Sequence, residues 1–229
     1  MTEPERIHTD ISGGWLRAAT FGAMDGMVSN TALIAGVAAS ASADTVAVSG
    51  IAGLLAGACS MALGEYTSVT TANEQIDAEV EVERRSLRDR PDVERTQLVA
   101  MLMQIGVSEP TAQRASEEVH RDEDSAVNLH MMLETGIDPR EKPSPRVAAL
   151  SSFVMFAIGA VLPLLPYLLG RDCLWAGLAC AAVGLGIAGA LAARFTGKSA
   201  WRAAGRQLAL GAVAVAVTYH LGGLIAGLI

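Results

Sequence analysis

Long runs without charge alternate with polar segments along this chain of 229 residues. Four runs contain no Asp, Glu, Lys or Arg: residues 45–64, 147–170, 173–193 and 207–229. Each has the roughly 20 residues that an apolar α-helix needs to cross the hydrocarbon core of a bilayer. A fifth run, between Arg17 and Asp44, is broken only by the charge of Asp25. The pattern predicts an all-α membrane protein with five transmembrane helices.

The polar segment of residues 73–145 lies between the second and third runs and is long enough to form a domain. The second helix meets no Gly or Pro over residues 67–86, so we expect it to continue into this segment. Three shorter helices follow, with Asp89 as the predicted N-cap of the first, and their ends are set by Pro91, Gly106, Pro110 and Gly136. The predicted domains are residues 1–72 with spans 1 and 2, residues 73–145, and residues 146–229 with spans 3 to 5.

Basic residues near the ends of the predicted spans indicate the orientation of the chain. If the N-terminus is cytoplasmic, one side of the membrane receives Arg6, Arg17, Arg146, Arg194, Lys198, Arg202 and Arg206. Only Arg171 falls on the other side. We therefore expect the N-terminus and residues 73–145 in the cytoplasm and the C-terminus outside. Compact loops and the absence of a vacuole-targeting segment favour the inner membrane of a bacterium.

The formal net charge of −7 is concentrated in the polar domain, where residues 73–145 hold 17 Asp or Glu against 9 Lys or Arg. Nucleic acid is excluded as a partner, because its phosphates would demand a basic surface. The acidic surface fits a domain that meets cations, and it equally fits a surface that only aids solubility. The three cysteines fall in apolar runs without C-x-x-C spacing, which predicts neither a disulfide framework nor a zinc site.

Two acidic residues lie inside or at the end of predicted spans. Asp25 falls near the middle of the first span, and Glu65 follows the second uncharged run. A charge in or near hydrocarbon costs a few kcal/mol, so such a residue indicates a function. Met61 lies one helical turn before Glu65 and Ser68 about one turn after it. Carboxylate, thioether and hydroxyl on one helix edge predict a path for a cation, and the sulfur favours a transition metal over Mg²⁺ or Ca²⁺.

The polar domain holds a second group of candidate ligands within five residues: His130, Met131, Met132 and Glu134. Imidazole, thioether and carboxylate can together bind a transition metal, whereas adjacent methionines are more often packing residues. Glu79 and Glu83 share a helix face and repel each other. A bound cation would relieve that repulsion, and the arginines at positions 84, 85 and 88 would also relieve it without any metal.

With these residues identified, the chain resembles the vacuolar iron transporter family over nearly its whole length. The resemblance rests on residues 22–29 (GAMDGMVS), 60–68 (SMALGEYxS), 162–167 (LPLLPY) and 216–219 (AVTY). It implies a homodimer of five-span protomers with a helical cytoplasmic metal-binding domain between spans 2 and 3. It also implies proton-coupled export of Fe²⁺, and often Mn²⁺, from the cytosol into a vacuole or out of the cell.

By matched position, the resemblance implies that Asp25 and Met61 line the membrane path and that Glu65 lies near its cytoplasmic mouth. In the polar domain it implies four metal ligands: Glu83, Glu94, Met131 and Glu134.

The polar domain departs from the family's two E-x-x-E pairs. Ser86 and Gln97 stand where the second carboxylate of each pair is expected, and His130 stands at a methionine position. Fewer carboxylates predict weaker binding of hard cations and fewer metal ions in each domain.

The predicted function is proton-coupled transport of Fe²⁺, or of Mn²⁺, with no tightly bound cofactor. The expected partners are divalent metal ions, protons, the lipid bilayer and a second copy of the chain. Two alternatives stay open, namely a membrane-anchored module that buffers or senses metal without transport, and a channel without proton coupling. An enzyme is not expected, because the sequence contains no nucleophile–base arrangement, P-loop or cofactor fingerprint.

Overall fold

A computed structural model describes residues 14–197 and 199–226, in which all regular secondary structure is helical. The helices are α1 (Trp15–Ala38), α2 (Ala43–Asp89), α3 (Pro91–Gln104), α4 (Glu109–Val119), α5 (Glu123–Thr135), α6 (Pro145–Leu168), α7 (Leu174–Thr196) and α8 (Ala200–Ala226). The predicted all-α class is confirmed. The predictions made for residues 1–13, for Lys198 and for residues 227–229 lie outside the described residues.

Four helices are long and apolar enough to cross a membrane, and these are α2, α6, α7 and α8. Helix α1 has 24 residues and is long enough. It is less apolar than the other four because Asp25, Ser29, Asn30 and Thr31 lower its mean hydropathy. Four of the five predicted spans are therefore supported by length and composition, and α1 as a fifth span stays a prediction.

Helix ends in the polar segment follow from Pro and Gly. Helix α2 runs without interruption to Asp89, as predicted, and Pro91 occupies the first turn of α3. The prediction that Asp89 caps α3 is wrong, because that residue is still helical; Arg90 is the N-cap and its side chain makes no capping bond. Gly106 and Gly136 have φ angles of 95° and 74°, which favour glycine, and they follow the ends of α3 and α5.

One compact unit consists of Gly14–Ser68 together with Ser144–Ile229. Within its described part, α1 packs closely on α6 through glycine. A Cβ added at Gly26 would lie 2.2 Å from the carbonyl oxygen of Phe156, and one added at Gly159 would lie 2.2 Å from that of Ala23. Small residues therefore let the two backbones touch, as is common between membrane helices.

The second compact unit contains Val69–Pro143. Its apolar core is formed by α2 and α5 through Leu87, Ala126, Val127 and Met131. Helices α3 and α4 are joined by a hydrogen bond from Ser116 Oγ to the carbonyl oxygen of Arg95, at 3.1 Å. Burial of these apolar side chains fixes the register of α2 and α5, and the buried side chain of Leu98 does the same for α3.

Candidate metal sites

Four side chains from three helices converge within the unit of Val69–Pro143. Glu83 belongs to α2, Glu94 to α3, and His130 and Glu134 to α5. One nitrogen or oxygen atom from each lies within 4.8 Å of the corresponding atoms of the others. His130 and Glu134 are four residues apart and therefore share a face of α5. We call these four residues the carboxylate–histidine cluster.

Nδ1 of His130 lies at the centre of the cluster. It is 3.2 Å from Oε1 of Glu83, 3.9 Å from Oε2 of Glu94 and 3.7 Å from Oε1 of Glu134. The imidazole is fully buried, and neither of its ring nitrogens has a hydrogen-bond partner among the described residues. An unsatisfied buried polar atom costs about 1–3 kcal/mol. A cation at the centre would satisfy the acceptor atoms that meet there.

Burial and mutual charge shift the protonation of the cluster. Burial, followed by the negative charges of Glu134 and Glu94, raises the pKa of Glu83 to about 7. Burial and the charge of His120 lower the pKa of His130, against the opposite effect of Glu134 and Glu94. A neutral imidazole offers a lone pair, and a divalent cation would replace the proton that Glu83 otherwise takes up.

The arginines that follow Glu83 do not neutralise the cluster. Arg84 and Arg88 pair with acidic residues at the start of α5, at distances of 2.8 to 3.3 Å. Arg85 donates from Nε to a backbone carbonyl oxygen of its own helix. Among the described residues, no Lys or Arg forms an ion pair with a carboxylate of the cluster. None of these arginines forms an ion pair with Glu79 or Glu83 among the described residues, so their part in relieving the repulsion between those two residues stays a prediction. Glu79 lies outside the cluster.

Ser86 and Gln97 donate hydrogen bonds to two of the cluster's carboxylates. Oγ of Ser86 lies 2.5 Å from Oε1 of Glu94, and Nε2 of Gln97 lies 2.6 Å from Oε1 of Glu134. Arg90 in turn donates to Oγ of Ser86 at 3.1 Å. Hydrogen-bond donors thus occupy the two positions at which the resemblance implied further carboxylates. The sequence showed these residues only as missing carboxylates, whereas the structure shows them as hydrogen-bond donors that orient the carboxylates of Glu94 and Glu134.

Three of the four ligands predicted for the polar domain meet in the cluster, and the fourth has different surroundings. The side chain of Met131 is buried in the apolar core with Leu87 and Val127. His130, the preceding residue, faces the carboxylates instead. Its spacing of four residues from Glu134 was the signal in the sequence that pairs the two side chains.

In the other unit, Asp25 and Met61 line one cavity of about 330 Å³ between α1 and α2. The remaining lining residues are Phe21, Ser29, Asn30, Leu33, Gly53, Gly57, Ser60 and Phe156. A carboxylate and a thioether that line the same cavity can together hold a transition metal. We call this space the α1–α2 cavity.

Glu65 and Ser68 do not line the α1–α2 cavity. Oε1 of Glu65 instead accepts a hydrogen bond from Nη2 of Arg17 at 2.9 Å. The side chain of Arg17 is 72% exposed and that of Glu65 only 15%. The ion pair links α1 to α2, and sequence reasoning missed it because 48 residues separate the partners.

Comparison with known proteins shows similarity to vacuolar iron transporters over almost the whole chain. The sequence model of the VIT family matches residues 16–223, which include both candidate sites. The chain is 34% identical over 219 residues to a vacuolar iron transporter of Acanthamoeba castellanii, covering 92% of this chain and 78% of the relative. It is 36% identical over 211 residues to vacuolar iron transporter homolog 1 of rice, covering 90% and 71%. It is 29% identical over 234 residues to vacuolar iron transporter 1 of Arabidopsis thaliana, covering 96% and 92%.

Proposed function

Because this chain belongs to the VIT family, whose members are membrane transporters rather than enzymes, we propose that it moves Fe²⁺ out of the cytoplasm in exchange for protons. The names of its relatives support iron as the substrate. Mn²⁺ is a second substrate, since carboxylate ligands also suit that ion. The observation that carries the proposal is that Asp25 and Met61 line the same cavity in the apolar part of the chain.

Capture of the ion from the cytoplasm is the role proposed for the carboxylate–histidine cluster. Its three carboxylates supply charge and His130 supplies nitrogen, a set that suits Fe²⁺ or Mn²⁺. Glu134 is the most exposed of the four, with 30% of its side chain accessible, and is therefore the first to meet an ion.

Passage through the membrane is assigned to Glu65, Met61 and Asp25. Glu65 lies near the cytoplasmic mouth, where an entering cation competes with Arg17 for its carboxylate. The ion then contacts the thioether of Met61 and the carboxylate of Asp25 in the α1–α2 cavity. Protons from the far side compete for the same carboxylates, so that release of metal and uptake of protons are linked.

The arrangement in the membrane follows from this path. We assign α1 as a fifth span, because it lines the cavity together with α2. The N-terminus and the metal-binding domain, predicted as residues 73–145, face the cytoplasm, and the C-terminus lies outside. The membrane is the inner membrane of a bacterium. Basic residues near the span ends support this orientation.

A homodimer is part of the proposal because the α1–α2 cavity is not enclosed by the chain itself. Helix α2 also exposes large apolar side chains, among them Ile51, Leu55 and Leu63. A second copy that packs against the open side of the cavity would complete the wall of the path.

The test is uptake of Fe²⁺ and Mn²⁺ into proteoliposomes with and without an imposed pH gradient. Wild-type protein is expected to show gradient-dependent uptake, and Asp25→Asn to lose it while remaining folded. Asp44→Asn is the matched control, because Asp44 is an exposed acid in the first turn of α2 outside the cavity. Flux of the wild-type rate in Asp25→Asn would refute the proposed path.

A membrane-anchored buffering or sensing module is the second candidate function. The carboxylate–histidine cluster supports it, since all four residues lie within the unit of Val69–Pro143 and need nothing from the spans. A buffer would bind Fe²⁺ without any uptake into the liposomes. Uptake that does not respond to the pH gradient would instead indicate a channel.

A further inference from the structure

Asn30 is a buried polar residue of α1 whose amide oxygen has no hydrogen-bond partner among the described residues. Only 2% of the residue is exposed. Nδ2 donates to the carbonyl oxygen of Ala160 in α6 at 2.7 Å, which fixes the orientation of the amide because only its nitrogen can donate. The oxygen Oδ1 is therefore turned away from α6. A buried acceptor in this state calls for an explanation.

The α1–α2 cavity supplies that explanation. Asn30 lines it together with Asp25 and Met61. A Cβ added at Gly53 would lie only 3.0 Å from Oδ1 of Asn30, so the oxygen faces a part of α2 that carries no side chain. Asn30 follows Asp25 by five residues, about 7.5 Å further along α1 at a rise of 1.5 Å per residue. The amide oxygen thus faces the cavity about one turn and a half beyond the carboxylate.

We propose that Oδ1 of Asn30 is a ligand for the transported divalent metal ion in the α1–α2 cavity, in addition to Asp25 and Met61. This inference rests on the proposed transport function. An ion that enters the cavity exchanges some of its water ligands for protein atoms, and amide oxygen is an accepted ligand of divalent cations. An uncharged oxygen holds the ion less strongly than a carboxylate does and so favours release in the outward direction.

The neighbouring residue provides a matched comparison on the same helix. Thr31 is also buried, but its hydroxyl donates to the carbonyl oxygen of Met27 and is therefore satisfied. It lines a different, largely apolar cavity of about 620 Å³ formed with α7 and α8. Thr31→Val removes a buried polar atom from α1 without touching the α1–α2 cavity.

The experiment measures initial uptake of Fe²⁺ into proteoliposomes as a function of Fe²⁺ concentration for full-length variants. Asn30→Ala is expected to raise KM by about tenfold or more, the size of effect seen when groups at a metal site are removed. Thr31→Val should stay within about twofold of the wild-type KM, as expected for a change outside the ion's path.

Asn30→Asp distinguishes the role of the amide oxygen from that of the amide nitrogen. It keeps an oxygen at this position and removes the nitrogen that donates to Ala160. A KM for Asn30→Asp equal to or below that of the wild type supports the ligand role, and a rise in KM equal to that of Asn30→Ala overturns it.

If Asn30→Ala fails to fold, a variant on α2 tests whether Oδ1 of Asn30 contacts the ion. Gly53→Ala leaves the bond between Asn30 and Ala160 intact and covers Oδ1 with a methyl group, while the flexible end of Leu33 moves aside. Gly186→Ala is its control, since nothing lies within 4 Å of a Cβ added at Gly186. The same rise in KM is expected for Gly53→Ala, and uptake equal to that of Gly186→Ala overturns the inference.

The failure of this inference differs from the failure of the proposed function. If the wild-type protein takes up Fe²⁺ and the Asn30 and Gly53 variants do so with an unchanged KM, only the role of Asn30 is refuted. If the wild-type protein shows no uptake at all, the proposed function and this inference are overturned together.

Discussion

The side-chain amide of Gln97 donates a hydrogen bond to Oε1 of Glu134, with 2.6 Å between nitrogen and oxygen. The hydroxyl of Ser86 likewise donates a hydrogen bond to Oε1 of Glu94. Each donor compensates the charge of a carboxylate that would otherwise lie beside other carboxylates without a partner. The two donors thereby stabilise the metal-free cluster, but they supply no negative charge for a cation at positions where carboxylates would do so.

Gln97→Glu tests whether the residue at this position exchanges affinity for a cation against stability of the metal-free protein. The new carboxylate would lose the hydrogen bond to Glu134 and add repulsion, so the thermal unfolding midpoint of the metal-free protein should fall, by an amount equivalent to about 1–3 kcal/mol. The added charge should also strengthen Mn²⁺ binding by about tenfold, because the affinity of oxygen sites follows the number of charged ligands. Isothermal titration of the full-length protein in detergent measures the affinity.

Thr96→Glu is the control for Gln97→Glu. Thr96 is the exposed residue that precedes Gln97 on α3, outside the cluster. The Thr96→Glu variant adds the same charge to the same helix. It should change neither the affinity for Mn²⁺ nor the thermal unfolding midpoint appreciably. Equal effects of the two variants would mean that only the overall charge of the domain matters.

The protonation of Glu83 predicts how stability depends on pH in the absence of metal. The pKa of Glu83 is about 7 in the folded chain, against an ordinary value of 4.5, because of burial and the charges of Glu134 and Glu94. Between these values the folded state holds a proton that the unfolded chain has released. The proton held on Glu83 therefore contributes fully to the stability of the folded chain below pH 4.5, and this contribution is lost as the pH rises through 7.

Glu83→Gln mimics the protonated carboxyl at every pH. We expect this variant to unfold at a higher temperature than the metal-free wild type at pH 8, and at nearly the same temperature at pH 5. Metal binding depends on pH in the opposite direction, because a divalent cation displaces the proton of Glu83. The affinity of the wild-type protein for the cation should rise by up to about tenfold for each unit by which the pH increases toward 7. A constant difference between the two proteins across this range would contradict the assignment.

A pair of leucine substitutions separates the roles of His130 and Met131. His130→Leu removes the nitrogen at the centre of the cluster and should weaken Fe²⁺ or Mn²⁺ binding by about tenfold or more. Met131→Leu conserves volume in the apolar core and should change stability by less than about 1.5 kcal/mol, with the affinity unaltered. Loss of affinity in Met131→Leu would restore the thioether as a ligand, as the resemblance to the family implied.

Arg17→Gln tests the ion pair at the proposed mouth of the path. Because most of the Arg17 side chain is exposed, its loss should cost at most about 1 kcal/mol of stability. Glu65 would then be free for an entering cation, and KM for Fe²⁺ uptake should fall severalfold.

Arg146→Gln removes an exposed arginine at the start of α6 and serves as the control, with no change in KM expected. A higher KM in Arg17→Gln would mean that the arginine holds Glu65 in its binding position rather than competing with the ion.

The helices were predictable because their signals are local. Uncharged runs mark α2, α6, α7 and α8, and Pro91, Gly106 and Gly136 mark the ends of shorter helices. The cap of α3 was not predictable in this way, since α2 continues through Asp89 and leaves only Arg90 between the two helices.

The sites were predictable only in part, because their geometry depends on which way each side chain points. Adjacent residues on a helix differ by about 100° in direction, so His130 and Met131 have different surroundings although the sequence places them side by side. The donor role of Gln97 and the pairing of Arg17 with Glu65 depend on contacts between distant segments. No local pattern reports such contacts.

The glycine contacts between α1 and α6 limit how the protein can change shape during transport. At Gly26 and Gly159 the two backbones touch, with no side chain between them that could change rotamer. Sliding or rolling of one helix over the other would bring main-chain atoms into collision, because packed interfaces do not deform continuously. The pair is therefore expected to move as one body. Under the proposed transport mechanism, access to the α1–α2 cavity would alternate through displacement of α2, so that the wall carrying Asp25 and Asn30 would stay fixed while the wall carrying Met61 moves.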